Sequence, residues 1–380
     1  MLARSEAVGT LVIAARDISR ARAFAVTLGP KASAVQVDAK DRTALEAAMA
    51  GHDLVVNVSG GADRLIPVVV RAAIAARVPY CDTTGGDAAE ECLALDRAAR
   101  DAGVLALTGI GVTPGTTNLL ACHLAAEFDS VESIQSCFIQ GVLHWVDPII
   151  AAGGDLSAGT TATVGSIITG VGSRVRVYRD GRLTEIEGPG PAFELRLPGE
   201  GGEYVTGHPY GNAEILTLPG HIPGVRDITC VAGFQPQQLN ELLREQARRF
   251  SAGEASEEGA SAAFLSTIVA DPERWLAGAR GARKITPFTV LTGIKDGRPA
   301  RHTATLAARY DADPEPAGAF TAGPLSVAAG MMLRGEVAGQ GVLPPEACLD
   351  PMRFIAALAR LWVPVPDNGK PIVKTTEWLD

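Results

Sequence analysis

The side chains able to do chemistry sit where apolar runs stop. Ala14-Ala15-Arg16-Asp17 closes the run beginning TLVIA, Asp38 follows AVQV, Asn57-Val58-Ser59-Gly60-Gly61 closes HDLVV, and Asp82-Thr83-Thr84-Gly85 follows VPYC. Ligands of open parallel sheets bind at the carboxyl ends of the strands, so these clusters read as parts of one site. A small residue followed by arginine leaves room and positive charge for a 2′-phosphate, whereas an acid there would accept from a ribose diol. Arg16, with Asp17 beside it, therefore leans toward NADP over NAD. Asp38 is placed to meet an adenine edge, and the glycines behind Asn57, Val58 and Ser59 let backbone approach a dinucleotide closely. Thr83, Thr84 and Gly85 belong near the nicotinamide end. Asp82 beside them is either a proton-transfer group or an acceptor for loop N–H groups, and the loop role is favoured.

The stretch from Val104 to Leu120, VLALTGIGVTPGTTNLL, joins a buried strand to a helix through a Gly-Pro turn. Thr113, Pro114, Gly115 and Thr116 form its end, and Thr116 or Thr117 is expected to cap a helix starting near Asn118. AAGGDLSAGT, residues 151–160, puts Gly154, Ser157, Gly159 and Thr160 before a second helix, a seat for a carboxylate. His144, followed by Trp145, is the first candidate for general acid or base, with His208 and His221 behind it. A lone histidine is more often structural. Of the cysteines only Cys81 stands where chemistry is plausible; the six are scattered without metal-ligand spacing and read as buried thiols in a reducing compartment.

The elements that must position these groups follow a strict alternation. Strands are expected at residues 10–14, 34–37, 52–59, 78–83 and from Val104, with helices at 19–28, from Asp41, at 65–77 and at 87–102. Short connections and unalternated apolar strands predict an α/β fold, a Rossmann-like doubly wound parallel sheet. The strand and Gly-x-Gly-x-x-Gly turn that should open such a sheet are missing from the sequence, so the first strand is expected to be absent and its neighbours to have unpaired inner edges. The economical expectation is that Met1 is not the natural start.

Beyond Leu120 the alternation ends. Strands are expected at 131–140, 174–178, 183–186, 193–197, 213–218 and 229–233, with a hairpin turn at Arg179-Asp180-Gly181. Helices at 237–250 and 262–279 flank a polar, acidic loop at 251–261, and a second hairpin turns at Lys295-Asp296-Gly297. This predicts a second α+β domain with a mixed or antiparallel sheet. The expected divisions are 1–125, 126–318 and a helical return at 319–380.

The bulk numbers exclude several classes. With 47% apolar and 20% charged residues over 380 positions the chain is globular, and a net charge of −9 offers no basic stripe for nucleic acid or anionic lipid. No apolar run is long enough to span a bilayer and no signal-peptide core is visible, so a cytoplasmic enzyme with a small-molecule substrate is expected. No metal cluster and no Gly-x-Ser-x-Gly element is present.

VVNVSGG, VPYCDTTGG, GIGVTPGTTNLLA, AAGGDLSAGT and GPLSVAAGMMLRGEVAGQGVLPPE, in this order, make the chain resemble the saccharopine dehydrogenase family. The resemblance implies an NAD(P)-dependent oxidoreductase that interconverts an imine and an amine on an amino-acid skeleton; the middle α+β domain has room for dimer contacts, and a homodimer is expected. The resemblance also implies that Asn57 to Gly60 and Thr83 to Gly85 face the cofactor, and that Thr113 to Thr116 and Gly153 to Thr160 line a crevice between domains. The missing glycine turn leaves a second class open, a binding protein that has kept the fold without the catalysis.

Overall fold

A computed structural model describes residues 1–59, 65–86, 88–158, 162–199, 202–278, 287–306, 319–361 and 370–379. The chain divides into two compact units, residues 1–116 with 318–354 and residues 117–317 with 355–380. The divisions differ from those expected: the first crossing lies at 116/117, and the last residues return to the second unit.

Unit 1 opens with β1 (Leu11–Ala15), α1 (Ile18–Leu28), β2 (Ala32–Gln36), α2 (Arg42–Met49), β3 (Val55–Asn57) and α3 (Ile66–Ala76). It continues through β4 (Tyr80–Asp82), α4 (Ala88–Leu93), α5 (Asp96–Ala102) and β5 (Leu105–Leu107), so the single helix expected at 87–102 is two. Asp17 caps α1 by accepting from the Arg20 N–H at 3.0 Å, and Asp41 caps α2 through the Ala44 N–H at 3.0 Å. Each satisfies a backbone donor that the first helical turn leaves free.

Unit 2 begins with α6 (Thr116–Ala125) and β6 (Ser130–Gly141), then α7 (Leu143–Ala151), α8 (Ala162–Gly172), the hairpin of β7 (Val175–Arg179) and β8 (Arg182–Ile186), and β9 (Phe193–Arg196). β10 (Tyr204–Pro209), α9 (Glu214–Thr217), β11 (Asp227–Gln235), α10 (Leu239–Ser251), α11 (Glu257–Ala270), α12 (Pro272–Trp275), β12 (Phe288–Lys295) and β13 (Arg298–Leu306) follow. Two expectations fail here. Residues 213–218 are helical rather than extended, because Glu214 and Thr217 turn inward to buried hydroxyl and amide groups; the strand lies earlier, at β10. The acidic loop is also shorter than its composition implied: Ser256 accepts from the Gly259 N–H at 3.1 Å and starts α11, with Glu257 and Glu258 in the favourable first turn.

The returning stretch gives α13 (Ala319–Leu333), β14 (Gly341–Leu343) and α14 (Pro345–Cys348) to unit 1, then α15 (Pro351–Leu361), inside which the chain crosses back, and β15 (Ile372–Trp378), which belongs to unit 2. β14 was not legible as a strand. It pairs in parallel with β5 and completes the order β14-β5-β4-β3, while β1 and β2 form a separate parallel pair. Among the described residues no ladder joins β1 to β3, so the sheet is divided where the opening strand was expected to be missing.

Ala72, Ala73, Val70, Tyr80, Ala99 and Ala106 fill the unit 1 core, which the Val37 and Leu45 segments also enter. Unit 2 carries a mixed sheet ordered β15-β13-β12-β6-β11-β10-β9, with the β7–β8 hairpin attached through β11. β6 and β11 run parallel over nine residue pairs; the other pairings are antiparallel. One face packs on α7, α8, α10 and α11 through Val146, Ile168, Leu243, Phe234 and Phe264. The Gly199 N–H, just past β9, donates to Thr375 Oγ1 of β15 at 2.8 Å.

Candidate functional site

In unit 1 the carboxyl ends of the strands carry most of the residues singled out from the sequence. Arg16 is exposed directly after β1, and its carbonyl accepts from Gln36 Nε2 at 3.0 Å, which ties the ends of β1 and β2 together. Asp17 is spent on the α1 cap. Asp38 lies exposed past β2 and accepts from the Lys40 N–H at 3.0 Å. At the end of β3, Asn57 is buried while Val58 and Ser59 are exposed, and Asn57 Oδ1 accepts from the Ser59 N–H at 3.0 Å and Oγ at 2.8 Å. Gly60 lies outside the described residues.

Asp82 is 1% exposed at the end of β4. Its carboxylate accepts from the Tyr80 hydroxyl at 2.7 Å, the Thr84 N–H at 2.9 Å, the Gly109 N–H at 3.0 Å and the Thr84 hydroxyl. Burial pushes this carboxyl above the ordinary range, against the pull of the bonds from Thr84, Gly109 and Tyr80. The Tyr80 hydroxyl in turn accepts from Asn57 Nδ2 at 2.8 Å. One connected network thus ties β3, β4 and the loop after β5. Thr83 and Gly85 are half-buried beside the buried Thr84. Cys81 is fully buried, and burial followed by the Asp82 charge drives its thiol far above its usual range, which removes the reactive role expected for it.

The Gly-Pro turn is a tight knot. The Gly111 N–H donates to the Pro114 carbonyl at 2.9 Å, while the Thr116 N–H and hydroxyl both donate to the Gly111 carbonyl, at 3.0 and 2.9 Å. The Thr113-Pro114 peptide is cis. Gly115 has φ +120, and a Cβ there would lie 2.5 Å from Gly111 N, so only glycine fits. Thr116 is already the first residue of α6, and both threonines donate through their side chains rather than accept as caps.

In unit 2, Glu214 is fully buried and accepts from Ser136 Oγ at 2.8 Å, Thr117 Oγ1 at 3.2 Å and Cys230 Sγ at 3.4 Å. Asn118 Nδ2 donates to Thr217 Oγ1 at 3.2 Å, so the start of α6 is held by α9. His144 follows β6 as expected and lies in the first turn of α7, and its side chain is outside the described residues. Trp145 is core, edge-on to Phe234 at 6.0 Å, rather than a platform for a ring. Gly154 is half-buried, and Ser157 is exposed with its N–H on Asp155 Oδ1 at 2.9 Å. Gly159 and Thr160 lie outside the described residues. His208 bonds the Gly190 carbonyl and His221 the Thr217 carbonyl through their ring nitrogens, both structural roles.

Residues 1–107 match the model of the saccharopine dehydrogenase NADP binding domain. That match, over the first 107 residues, marks the chain as an NAD(P)-dependent oxidoreductase. In fold it is similar to the apo saccharopine dehydrogenase (L-Glu forming) of Saccharomyces cerevisiae, with a TM-score of 0.65 and 17% identity over 99% of this chain and 96% of that one. It is also similar to the homospermidine synthase of Legionella pneumophila in complex with NAD, with a TM-score of 0.56 and 12% identity over 97% and 85% of the two chains.

The chemistry of the residues present fits the two ends of the dinucleotide: an exposed arginine after a small residue at β1, and exposed residues after β3, tied through Asn57, Tyr80 and Asp82 to the Gly109 loop. Sequence reading missed Tyr80 and Glu214. Tyr80 was hidden as one more apolar letter of a strand, although its spacing two before Asp82 puts both on one face. Glu214 gave no signal, since its hydroxyl donors come from segments 78 or more residues away. No described helix is long and apolar enough to cross a membrane, and all six cysteines are free thiols.

Proposed function

We propose that this oxidoreductase prefers NADP and transfers hydride to or from an amino-acid-derived imine or amine. The observation that carries the cofactor preference is Ala15-Arg16: a small residue closes β1, and the guanidinium behind it is exposed where the adenosine ribose belongs. Asp38 lies at the adjoining strand end, and Asn57, Val58, Ser59, Thr83, Thr84 and Gly85 occupy the strand ends farther along. The nicotinamide supplies the hydride acceptor or donor when bound; the protein binds, orients and excludes water. The substrate class is supported by the family and by the names of the similar structures, one acting on saccharopine and one making homospermidine. Thr113 to Thr116 and Gly154, Ser157, Gly159 and Thr160 are the residues we assign to substrate. His144 is our candidate for proton transfer. Asp82, with four donors already on its carboxylate, is assigned to holding its loop.

Fluorescence titration of the full chain with NADPH and with NADH tests this reading. NADPH is expected to bind more tightly, and Arg16→Ala to weaken NADPH about tenfold while leaving NADH nearly unchanged, the value of one charge-assisted phosphate contact. Absence of saturable binding by either nucleotide overturns it.

A further inference from the structure

The bonds at the end of β4 exceed what a three-residue strand needs for pairing. Tyr80 is fully buried, yet its hydroxyl does two jobs at once, donating to Asp82 Oδ2 at 2.7 Å and accepting from Asn57 Nδ2 at 2.8 Å. Asp82 Oδ1 is thereby left to the Thr84 and Gly109 N–H groups, and the carbonyl of Asp82 accepts from the Ile110 N–H at 2.9 Å. Asn57, its amide nitrogen occupied by Tyr80, turns its oxygen to Ser59. The orientation of backbone at three neighbouring strand ends thus depends on one phenolic oxygen. Gly109 packs tightly here, since a Cβ would lie 3.1 Å from the Thr84 carbonyl.

We propose that Tyr80 is a positioning residue for the nicotinamide half of the dinucleotide. It touches no ligand itself. It fixes Ser59, Thr84 and the Gly109 loop, which lie at the ends of β3, β4 and β5, whereas the proposed adenosine seat at Arg16 and Asp38 lies at the ends of the separate β1–β2 pair. The inference rests on the cofactor assignment above, and it is specific to one half of that cofactor. A tyrosine needed only for core packing would influence both halves alike or neither.

The test is calorimetric titration of the wild type and Tyr80→Phe with two probes, NADPH and adenosine 2′,5′-bisphosphate, which carries the adenosine end alone. Phenylalanine keeps the ring and removes the oxygen. The expected result is an NADPH dissociation constant raised about tenfold, the scale of one buried hydrogen bond to a charged group, with adenosine 2′,5′-bisphosphate binding unchanged within about twofold. Asp82→Asn, which keeps the shape and disturbs the same bonds, is expected to show the same split and decides the matter if Tyr80→Phe does not fold. Equal weakening of both probes, or no change in either, overturns the role of Tyr80 while leaving the cofactor assignment standing. Failure of both probes to bind the wild type removes the cofactor assignment and the inference with it.

Discussion

His302 shows at the scale of one residue how burial alone sets behaviour. It is fully buried on β13, edge-on to Phe128 at 4.6 Å, and neither ring nitrogen has a hydrogen-bond partner. Glu127 Oε2 lies 3.8 Å away but is held by the Lys374 ammonium. Burial first, then the charge on Lys374, lowers the histidine below its ordinary value, and Glu127 only partly offsets this. The imidazole is therefore neutral in the folded protein and takes up a proton on unfolding. Stability from this source is complete above about pH 6.5 and is lost as pH falls below that. His208, lowered by burial as well, adds to the same window. Glu127, held low by Lys374 despite burial, contributes stability that is lost only below the ordinary carboxylate range. Denaturant unfolding of His302→Phe between pH 7 and 5 should show a shallower loss than the wild type, with proton uptake reduced by up to about one. An unchanged slope would count against a buried neutral imidazole.

The element that most repays attention is the turn into α6. Its glycines were read correctly as breakers, but the way Gly111, Pro114 and Thr116 close on one another came from the structure. Gly115→Ala should cost about 2 kcal/mol or more in chemical denaturation, since it adds a positive-φ penalty to a Cβ 2.5 Å from Gly111 N. Gly181→Ala is the control: φ is also positive at +77, but the added Cβ meets nothing within 4 Å, so only the conformational cost of about 1 kcal/mol should appear. Other elements were misread for physical reasons. The acidic run at 254–258 looked like a loop by composition, yet those carboxylates suit a helix start. Residues 213–218 looked extended because apolar letters surround Glu214, whose partners lie far off in sequence.

At the scale of the whole molecule, the two units have separate cores, and a ligand stabilises the unit it binds. If the dinucleotide is held by unit 1, NADPH at 100 times its dissociation constant should add about 2.7 kcal/mol to the stability of that unit. Differential scanning calorimetry should then show the matching transition move upward. Sequence by itself determined the β-α alternation of residues 10–107, the division of the parallel sheet and the resemblance of that stretch to an NADP-binding domain, because these depend on local periodicity, turn chemistry and short motifs. Only tertiary structure decided that β14 joins β5, that β15 meets the Gly199 loop, that Asp82 is tied to Tyr80 and Gly109, and that Glu214 is buried among Thr117, Ser136 and Cys230. Apart from the Tyr80–Asp82 pair on one strand, these join residues whose partners no nearby sequence pattern specifies, and the free energy of burying and satisfying their polar groups appears only once the chain has brought them together.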